Sequence, residues 1–178
     1  MKGIIDDVRV IGSDILSKIC AWINAVYRVT DDMKSQTGGA MSLGLGMSHG
    51  KSVKQKSNVK SSTEAELVGV SDYLLCNMYL MIFVSDQGYE IVDNTLCQGN
   101  QITILMLNNG RNACTGNSCH TQIKCSFVKD RMEKVEAKIE NCPSLQMVAD
   151  FFTKPHQGDL FNKFRGVIMV HKPISTLQ

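Results

Sequence analysis

The sequence predicts an α/β domain in which helices cover a mixed β-sheet. Three short segments of strand-like composition come first, a long helix with one apolar stripe follows, and strands then alternate with helices. That order is typical of sheets that combine antiparallel and parallel strand pairs. At 178 residues the chain is long enough for one such core and short for two.

The first three strands are expected to pair in an antiparallel arrangement. Ile19–Val29 mixes apolar and β-branched residues and predicts the first strand. The polar turn Thr30–Asp32 and the segment Thr37–Gly39 follow, and they predict a flexible connection. The second strand is expected over Ala40–Leu45 and the third over Ser52–Gln55.

The clearest helix start in the chain lies at Ser61. Both Ser61 with Glu64 and Thr63 with Glu66 have the spacing of a capping box. Apolar residues then recur at three- and four-residue steps, at Leu67, Val70, Leu74, Met78 and Met81. This stripe predicts a core-facing helix of about six turns that ends before Gly88.

The second half of the chain is expected to alternate strands and helices. Pro143-Ser144 predicts the start of a late helix, which Thr153-Lys154-Pro155 should stop. The other predicted elements are a strand over Ile91–Gln98, helices over Gln101–Leu107 and His120–Lys134, a strand over Ala137–Glu140 and a last helix over Leu160–Val170.

The composition indicates an ordinary globular protein inside the cell. Hydrophobic residues make up 43% and charged residues 20%, and the net charge of +2 is too small to establish a nucleic-acid partner. The most apolar run, Tyr73–Val84, is shorter than a membrane span, and the N-terminus lacks a signal peptide's apolar stretch. We therefore expect a cytoplasmic or nuclear location and no membrane partner.

The cysteine pattern favours reduced thiols. The chain has seven cysteines and no CxxC pair. One cluster, Cys114, Cys119, His120 and Cys125, contains zinc-ligand residue types. Because Cys119 and His120 are adjacent, both would have to point at one ion, whereas zinc ligands are normally separated by two to four residues. Unrelated thiols are the favoured interpretation.

Three motif-bearing segments follow one another in a fixed order. They are Asp32–Gly39 (DMKSQTGG), Lys54–Lys56 (KQK) leading to Lys60–Glu66 (KSSTEAE), and Cys142–Ser144 (CPS) leading to Ala149–Pro155 (ADFFTKP). In this order and spacing the chain resembles the ribonuclease H domain at the C-terminal end of copia-type retrotransposon polyproteins. The resemblance spans roughly Ile19 to Met169.

The resemblance implies a ribonuclease H-like fold and activity. The fold is a five-stranded mixed sheet with helices on both faces, and the activity cuts the RNA strand of RNA–DNA hybrids with two Mg²⁺ ions held by four carboxylates. It further implies that residues 1–18 are a remnant of a connecting segment, 19–155 the ribonuclease H-like domain, and 156–178 a C-terminal helix and tail. We expect a monomer or part of a longer polyprotein.

The carboxylate set carries over only in part. Glu66 matches the family's glutamate and Asp150 its last aspartate, so both are retained metal-ligand positions. Asn24 stands where the first aspartate should lie, and Gly99 where the third should precede Asn100. Without the resemblance, Glu66 would be a capping-box partner and Asp150 a solvent-facing acid. With it, we expect weak or lost Mg²⁺ binding and negligible ribonuclease H activity.

Two alternatives keep a function. In the first, Asp93 replaces the missing third acid and supports weak nuclease activity. In the second, the domain binds RNA–DNA hybrid or other nucleic acid without cutting it, through a basic edge that includes Lys34, Lys54 and Lys56. A solvated lysine edge that discourages strand pairing explains these lysines equally well. His120 either contacts a phosphate or caps a helix.

Single base transitions account for several departures from the family's pattern. Asp to Asn at Asn24 and Asp to Gly at Gly99 are two such changes. The family also commonly has an aromatic residue near Cys97 and Cys125 and a basic residue near Cys119. These departures support the hypothesis that the chain is a decaying copy.

Overall fold

The computed structural model describes Gly12, residues 16–110, Cys114 and residues 119–169. These residues form a five-stranded sheet in the order β3-β2-β1-β4-β5. The strands are β1 (Lys18–Val26), β2 (Gln36–Ser42), β3 (His49–Lys54), β4 (Asp93–Gln98) and β5 (Lys138–Asn141). β1 pairs with β2 and β2 with β3 in antiparallel fashion, whereas β1–β4 and β4–β5 are parallel. The predicted mixed sheet is confirmed.

Helices pack on both faces of the sheet. They are α1 (Ser62–Asp86), α2 (Gln101–Asn109), α3 (Cys119–Glu133) and α4 (Gly158–Ile168). On one face, buried side chains of α1, α2 and α3 pack against residues such as Ala21 and Ile23 of β1. On the other face, Phe164 and Val167 of α4 pack in a second core with Trp22 of β1.

α1 begins as its sequence predicts. Ser61 is the N-cap, and its hydroxyl accepts a hydrogen bond from the Glu64 backbone N–H at 3.1 Å. The Glu64 carboxylate in turn accepts from the Lys60 backbone N–H at 2.6 Å. Among the described residues, α1 is long and apolar enough to cross a membrane, and half of its most apolar window is buried. Core helices share these properties, and α1 lies on the sheet against β1.

Gly38 and Gly39 belong to β2, not to the flexible connection that the sequence predicted. A Cβ atom on Gly38 would lie 2.7 Å from the Ala149 carbonyl oxygen. On Gly50 of β3 it would lie 2.6 Å from the Phe152 ring. These glycines therefore let the segment that carries Asp150 approach the sheet directly.

The predicted late helix is instead two short 3-10 turns, Ser144–Gln146 and Val148–Phe152. Met147 separates them with φ −77° and ψ 82°, which is not helical backbone. The Asp150 N–H donates to the Met147 carbonyl at 3.0 Å, the i to i−3 pattern of a tight turn. Asp150 thus lies on a 3-10 turn that faces β1 and β2.

One cysteine pair differs from the expectation of reduced thiols. Cys114 and Cys125 are joined as a disulfide. Cys125 lies on the buried face of α3, and Cys114, which follows α2 in the chain, is buried against it. Cys119 is exposed and free, so the zinc-like sequence cluster does not converge.

Candidate active site

Asn24 lies near the end of β1, opposite Gly38 of β2. Its side-chain nitrogen Nδ2 donates to Asp150 Oδ1 at 2.6 Å and to Thr153 Oγ1 at 2.8 Å. Reversing the amide would place its oxygen against a carboxylate oxygen, and both atoms are acceptors when Asp150 is ionised. The observed orientation is therefore the favourable one, and it directs N–H groups at Asp150.

Asp150 has internal partners for both carboxylate oxygens. Oδ1 accepts from Asn24, and Oδ2 accepts from the Lys154 ammonium at 2.8 Å. The Asp150 side chain is only 8% exposed, whereas that of Lys154 is 47% exposed. A positive charge already contributed by the chain thus neutralises Asp150.

Glu66 is buried on the first turns of α1. Its Oε2 accepts from the backbone N–H of Ala25 at 2.8 Å and from Gln98 Nε2 at 3.3 Å. Burial raises the pKa of Glu66 to about 7, although these two hydrogen bonds oppose the shift, and the nearby Asp150 charge adds to it. Near neutral pH a large share of Glu66 is therefore protonated.

Gly99 directly follows β4 and contributes no side chain to the site. Its backbone does not have a positive φ, and a Cβ atom there would lie 3.4 Å from Met147 Cε and 3.6 Å from the Cys142 carbonyl oxygen. An aspartate at this position would need little rearrangement. Asn24, Glu66, Gly99 and Asp150 line one cavity of about 440 Å³, so the structure brings these four predicted positions together.

Three polar residues of the site were not predicted from sequence. Gln98 is fully buried, donates to Glu66 and accepts from the Asn100 backbone N–H at 3.0 Å. Thr153 and Lys154 were part of the Ala149–Pro155 motif and marked the end of a predicted helix, but neither was predicted to contact the site. The one sequence signal that could have singled out Gln98 was a glutamine at the end of a predicted strand. If that side chain is buried in the fold, it needs hydrogen-bond partners.

Asp93 lies at the other end of β4. It pairs in register with Lys18, whereas Gln98 pairs with Ile23, next to Asn24. The Asp93 carboxylate contacts the Lys138 ammonium at 3.0 Å and the Lys18 ammonium at 3.9 Å. Since Leu96 is a fully buried strand residue, the register that would have moved Asp93 into the site is not the one observed.

The residues at the site do not fit a pair of Mg²⁺ ions. Such ions need several oxygen ligands, and closely spaced divalent charges require several carboxylates to neutralise them. In the part of the chain that the structure describes, no group of three or more His, Cys, Asp or Glu side chains could hold a metal ion. The two acids of the cavity, Glu66 and Asp150, accept hydrogen bonds from amide and ammonium donors.

A separate basic groove lies between β3, α1 and α3. It has a volume of about 410 Å³ and is lined in part by Lys51, Lys54, Lys56, His120 and Lys124. His120 Nε2 lies 3.4 Å from the Ser57 hydroxyl. Of the residues predicted to bind nucleic acid, Lys54, Lys56 and His120 line this groove and Lys34 does not.

Two groove lysines have acidic neighbours. The Lys54 ammonium lies 2.7 Å from Asp32, and the Lys124 ammonium forms an ion pair with Asp72. Lys54 is half exposed, so its pairing with Asp32 is open to competition from other anions. The groove and the cavity around Glu66 share no lining residue.

No protein-family model and no curated protein sequence matches the chain. Among solved structures, the foamy viral protease-reverse transcriptase in complex with RNA/DNA hybrid matches with a TM-score of 0.51 and 12% identity, over 78% of this chain and 19% of that one. A prototype foamy virus protease-reverse transcriptase CSH mutant gives a TM-score of 0.48 and 10% identity, over 93% and 21%. Ribonuclease H1 from the archaeon Halobacterium salinarum gives 0.45 and 14%, over 71% and 86%.

These likenesses concern the fold. The five-stranded mixed sheet with helices on both faces is a ribonuclease H-like α/β fold. The chain corresponds to only 19% of the foamy viral protein with the TM-score of 0.51.

Proposed function

We propose that the chain is the ribonuclease H-like domain of a copia-type retrotransposon and that it has lost two-metal hydrolysis. The ordered motifs at Asp32–Gly39, Lys60–Glu66 and Ala149–Pro155 support the copia-type origin. The ribonuclease H-like fold agrees with it. As in the sequence-based expectation, the domain acts as a monomer or as part of a longer polyprotein.

The hydrogen bond from Asn24 to Asp150 supports the loss of catalysis most directly. Two carboxylates at these positions would repel each other, and a bound cation or a shared proton would have to relieve that repulsion. An amide and a carboxylate need no cation, because one donates and the other accepts at 2.6 Å. The Asn24 amide thus occupies the side of the Asp150 carboxylate that a bound ion would have to contact.

The magnitude of the missing charge supports the same conclusion. At an effective dielectric of about 20, two unit charges about 4 Å apart interact by roughly 4 kcal/mol. Asn24 and Gly99 each remove one unit of negative charge from the expected set of four carboxylates. A loss of several kcal/mol for each ion lowers divalent-ion affinity by more than about a thousandfold. Glu66, partly protonated near neutral pH, attracts a cation still less.

A second candidate function is nucleic-acid binding without cleavage. The basic groove gathers Lys51, Lys54 and Lys56 of the β3 side with Lys124 of α3. Clustered lysines interact with phosphates through their charge and need no metal. This function is independent of the cavity around Glu66, so it would survive the loss of the two aspartates.

The test is cleavage of an end-labelled RNA–DNA hybrid by the purified chain in Mg²⁺ and in Mn²⁺. We expect the same product yield from the natural chain as from Glu66→Gln, which removes a retained acid. If the natural chain cleaves the hybrid in multiple turnovers and Glu66→Gln abolishes that cleavage, the proposed loss of activity is wrong.

A further inference from the structure

Three free cysteines meet on the sheet face that α4 covers. Cys20 lies on β1, Cys97 on β4 and Cys142 just after β5. The Cys20 and Cys97 sulfur atoms are 3.6 Å apart although 77 residues separate them in the sequence. All three side chains contribute to the core that contains Trp22.

The strand register explains why Cys20 and Cys97 meet. β1 and β4 are neighbouring parallel strands, and Cys97 lies opposite Trp22, two residues beyond Cys20. Side chains two residues apart on a strand point to the same face. The two thiols therefore project from the same side of adjacent strands and touch along a diagonal.

The exposure of the three thiols separates this pair from Cys142. Cys20 and Cys97 are each partly exposed, whereas Cys142 is only 6% exposed. The Cys142 thiol also donates to the Pro143 carbonyl oxygen at 3.6 Å. A small reagent in solution can reach the Cys20–Cys97 pair more easily than it can reach Cys142.

We propose that Cys20 and Cys97 form a thiol-oxidation site, at which a small-molecule disulfide of the glutathione type links β1 to β4 through a new disulfide bond. The proposal rests on the contact between the Cys20 and Cys97 sulfur atoms and on the partial exposure of both side chains. It does not depend on whether the cavity around Glu66 binds metal or cleaves nucleic acid.

The reaction is two thiol–disulfide exchanges. In the first, the Cys20 thiolate attacks one sulfur of the reagent, a mixed disulfide forms, and one reagent thiol leaves. In the second, the Cys97 sulfur attacks the Cys20 sulfur, the mixed disulfide breaks, and the second reagent thiol leaves. The chain loses two electrons and two protons, and the reagent disulfide becomes two thiols.

The order of attack follows from the surroundings of the thiols. The Cys97 thiol and burial both hold the pKa of Cys142 above its ordinary value. The pKa of Cys97 is also raised: a hydrogen bond with Cys142 opposes the shift, but the Cys20 thiol and burial outweigh it. We therefore assign the first attack to Cys20. Cys97 reacts second, when the mixed disulfide lies beside it.

The cross-link should stabilise the domain. It would close a loop between residues 77 apart, and a closed loop of that length restricts the unfolded chain much more than the folded one. The expected rise in Tm is on the order of 5 °C. Dithiothreitol should reverse it, and Cys20→Ser treated in the same way gives the part of the change that comes from reducing Cys114–Cys125.

The experiment uses the full chain and oxidised glutathione. After incubation, free thiols are blocked with N-ethylmaleimide under denaturing conditions, and the protein is digested without reductant for mass spectrometry. We expect a linked peptide pair that contains Cys20 and Cys97, together with the rise in Tm. Cys76→Ser, a change at a free cysteine on α1, should leave both results unchanged.

Two single variants make the assignment specific. Cys97→Ser should lose the linked pair and keep glutathione on Cys20, and Cys20→Ser should lose the linked pair and the rise in Tm. The proposal is overturned if Cys20 and Cys97 of the natural chain are both found carrying N-ethylmaleimide or glutathione and are not linked to each other. It is also overturned if the dominant linked pair contains Cys142 in place of Cys20 or Cys97. Circular dichroism of each variant establishes that it is folded before oxidation.

Discussion

The side-chain amide of Asn24 donates a hydrogen bond to the carboxylate of Asp150 across 2.6 Å, and the two residues are 126 positions apart in the sequence. This hydrogen bond connects β1 to the 3-10 turn Val148–Phe152. The Lys154 ammonium, 2.8 Å from the other Asp150 oxygen, completes the neutralisation of that acid. The place where the family resemblance implies a metal ion is thus stabilised by the chain's own donors.

Asn24→Ala should destabilise the fold. The substitution removes the donors to Asp150 and Thr153 and leaves the largely buried Asp150 oxygen without that partner. A hydrogen bond to a charged group contributes about 1.5 to 3 kcal/mol, and we expect a loss of about 2 kcal/mol in the free energy of unfolding. Urea denaturation measures it. Asn58→Ala, at an exposed position before α1, is the matched control and should change stability by less than about 0.5 kcal/mol.

Restoring both acids should create metal-dependent stability. In the double variant Asn24→Asp/Gly99→Asp, a carboxylate at position 24 would repel Asp150, so the Tm without metal should fall. Millimolar Mg²⁺ should recover several degrees, because a ligand that binds only the folded state stabilises it. The space around Gly99 accommodates the added side chain.

The controls for this thermal experiment are the natural chain and each single variant. We expect no Mg²⁺-dependent rise in Tm for the natural chain and at most a small one for either single variant. An equal rise in the natural chain and the double variant would mean that Asn24 and Gly99 do not limit metal binding.

The pH dependence of stability should reveal Glu66. Its pKa rises from 4.5 to about 7 on folding because the carboxyl group is buried. Between these values the folded state holds a proton that the unfolded state releases, so the Glu66 contribution makes stability fall as pH rises through this window. The side chain in Glu66→Gln cannot titrate. Between about pH 4 and about pH 8, the free energy of unfolding of this variant should therefore rise by about 3 kcal/mol relative to that of the natural chain.

Urea titrations of both proteins across that pH range measure the difference. If the difference between natural chain and Glu66→Gln stays constant, the pKa of Glu66 does not change on folding.

The basic groove should bind duplex nucleic acid in a salt-dependent manner. The affinity falls as salt concentration rises, so the slope of log affinity against log salt concentration is negative. In Lys54→Ala/Lys56→Ala this slope should become less steep by about 2, because each phosphate contact contributes about one unit. Fluorescence anisotropy with a labelled hybrid gives the slope. Lys134→Ala/Lys163→Ala removes the same charge from positions outside the groove, and should leave the slope unchanged. Equal slopes for all three proteins would identify the lysine edge as merely solvated.

Much of the fold followed from local sequence patterns. Ser61 caps α1 as its spacing with Glu64 predicted, and Leu67, Val70 and Leu74 of the apolar stripe are buried. The pair Gly38-Gly39 was misassigned as a connection because glycine is common in turns. Its actual cause is tertiary: Ala149, Thr153 and Tyr73 lie too close for any side chain. Such a cause cannot be read from neighbouring residues.

The four positions that the motifs singled out, Asn24, Glu66, Gly99 and Asp150, line one cavity. The polar residues around them were not singled out. Lys154 follows Asp150 by four residues, a spacing that could have indicated their ion pair, but the segment was interpreted only through its motif and its helix end. Gln98 was missed because its role depends on Glu66, 32 residues away. Polar contacts between distant elements leave no periodic signal in the sequence.

Hybrid cleavage by the Asn24→Asp/Gly99→Asp variant, measured beside the natural chain in Mg²⁺, tests the central claim most directly. We predict no cleavage by the natural chain and metal-dependent cleavage by the double variant, which a further Glu66→Gln change should abolish. If the natural chain cleaves as fast as the double variant, and Glu66→Gln abolishes both activities, then Asn24 and Gly99 have not inactivated the site.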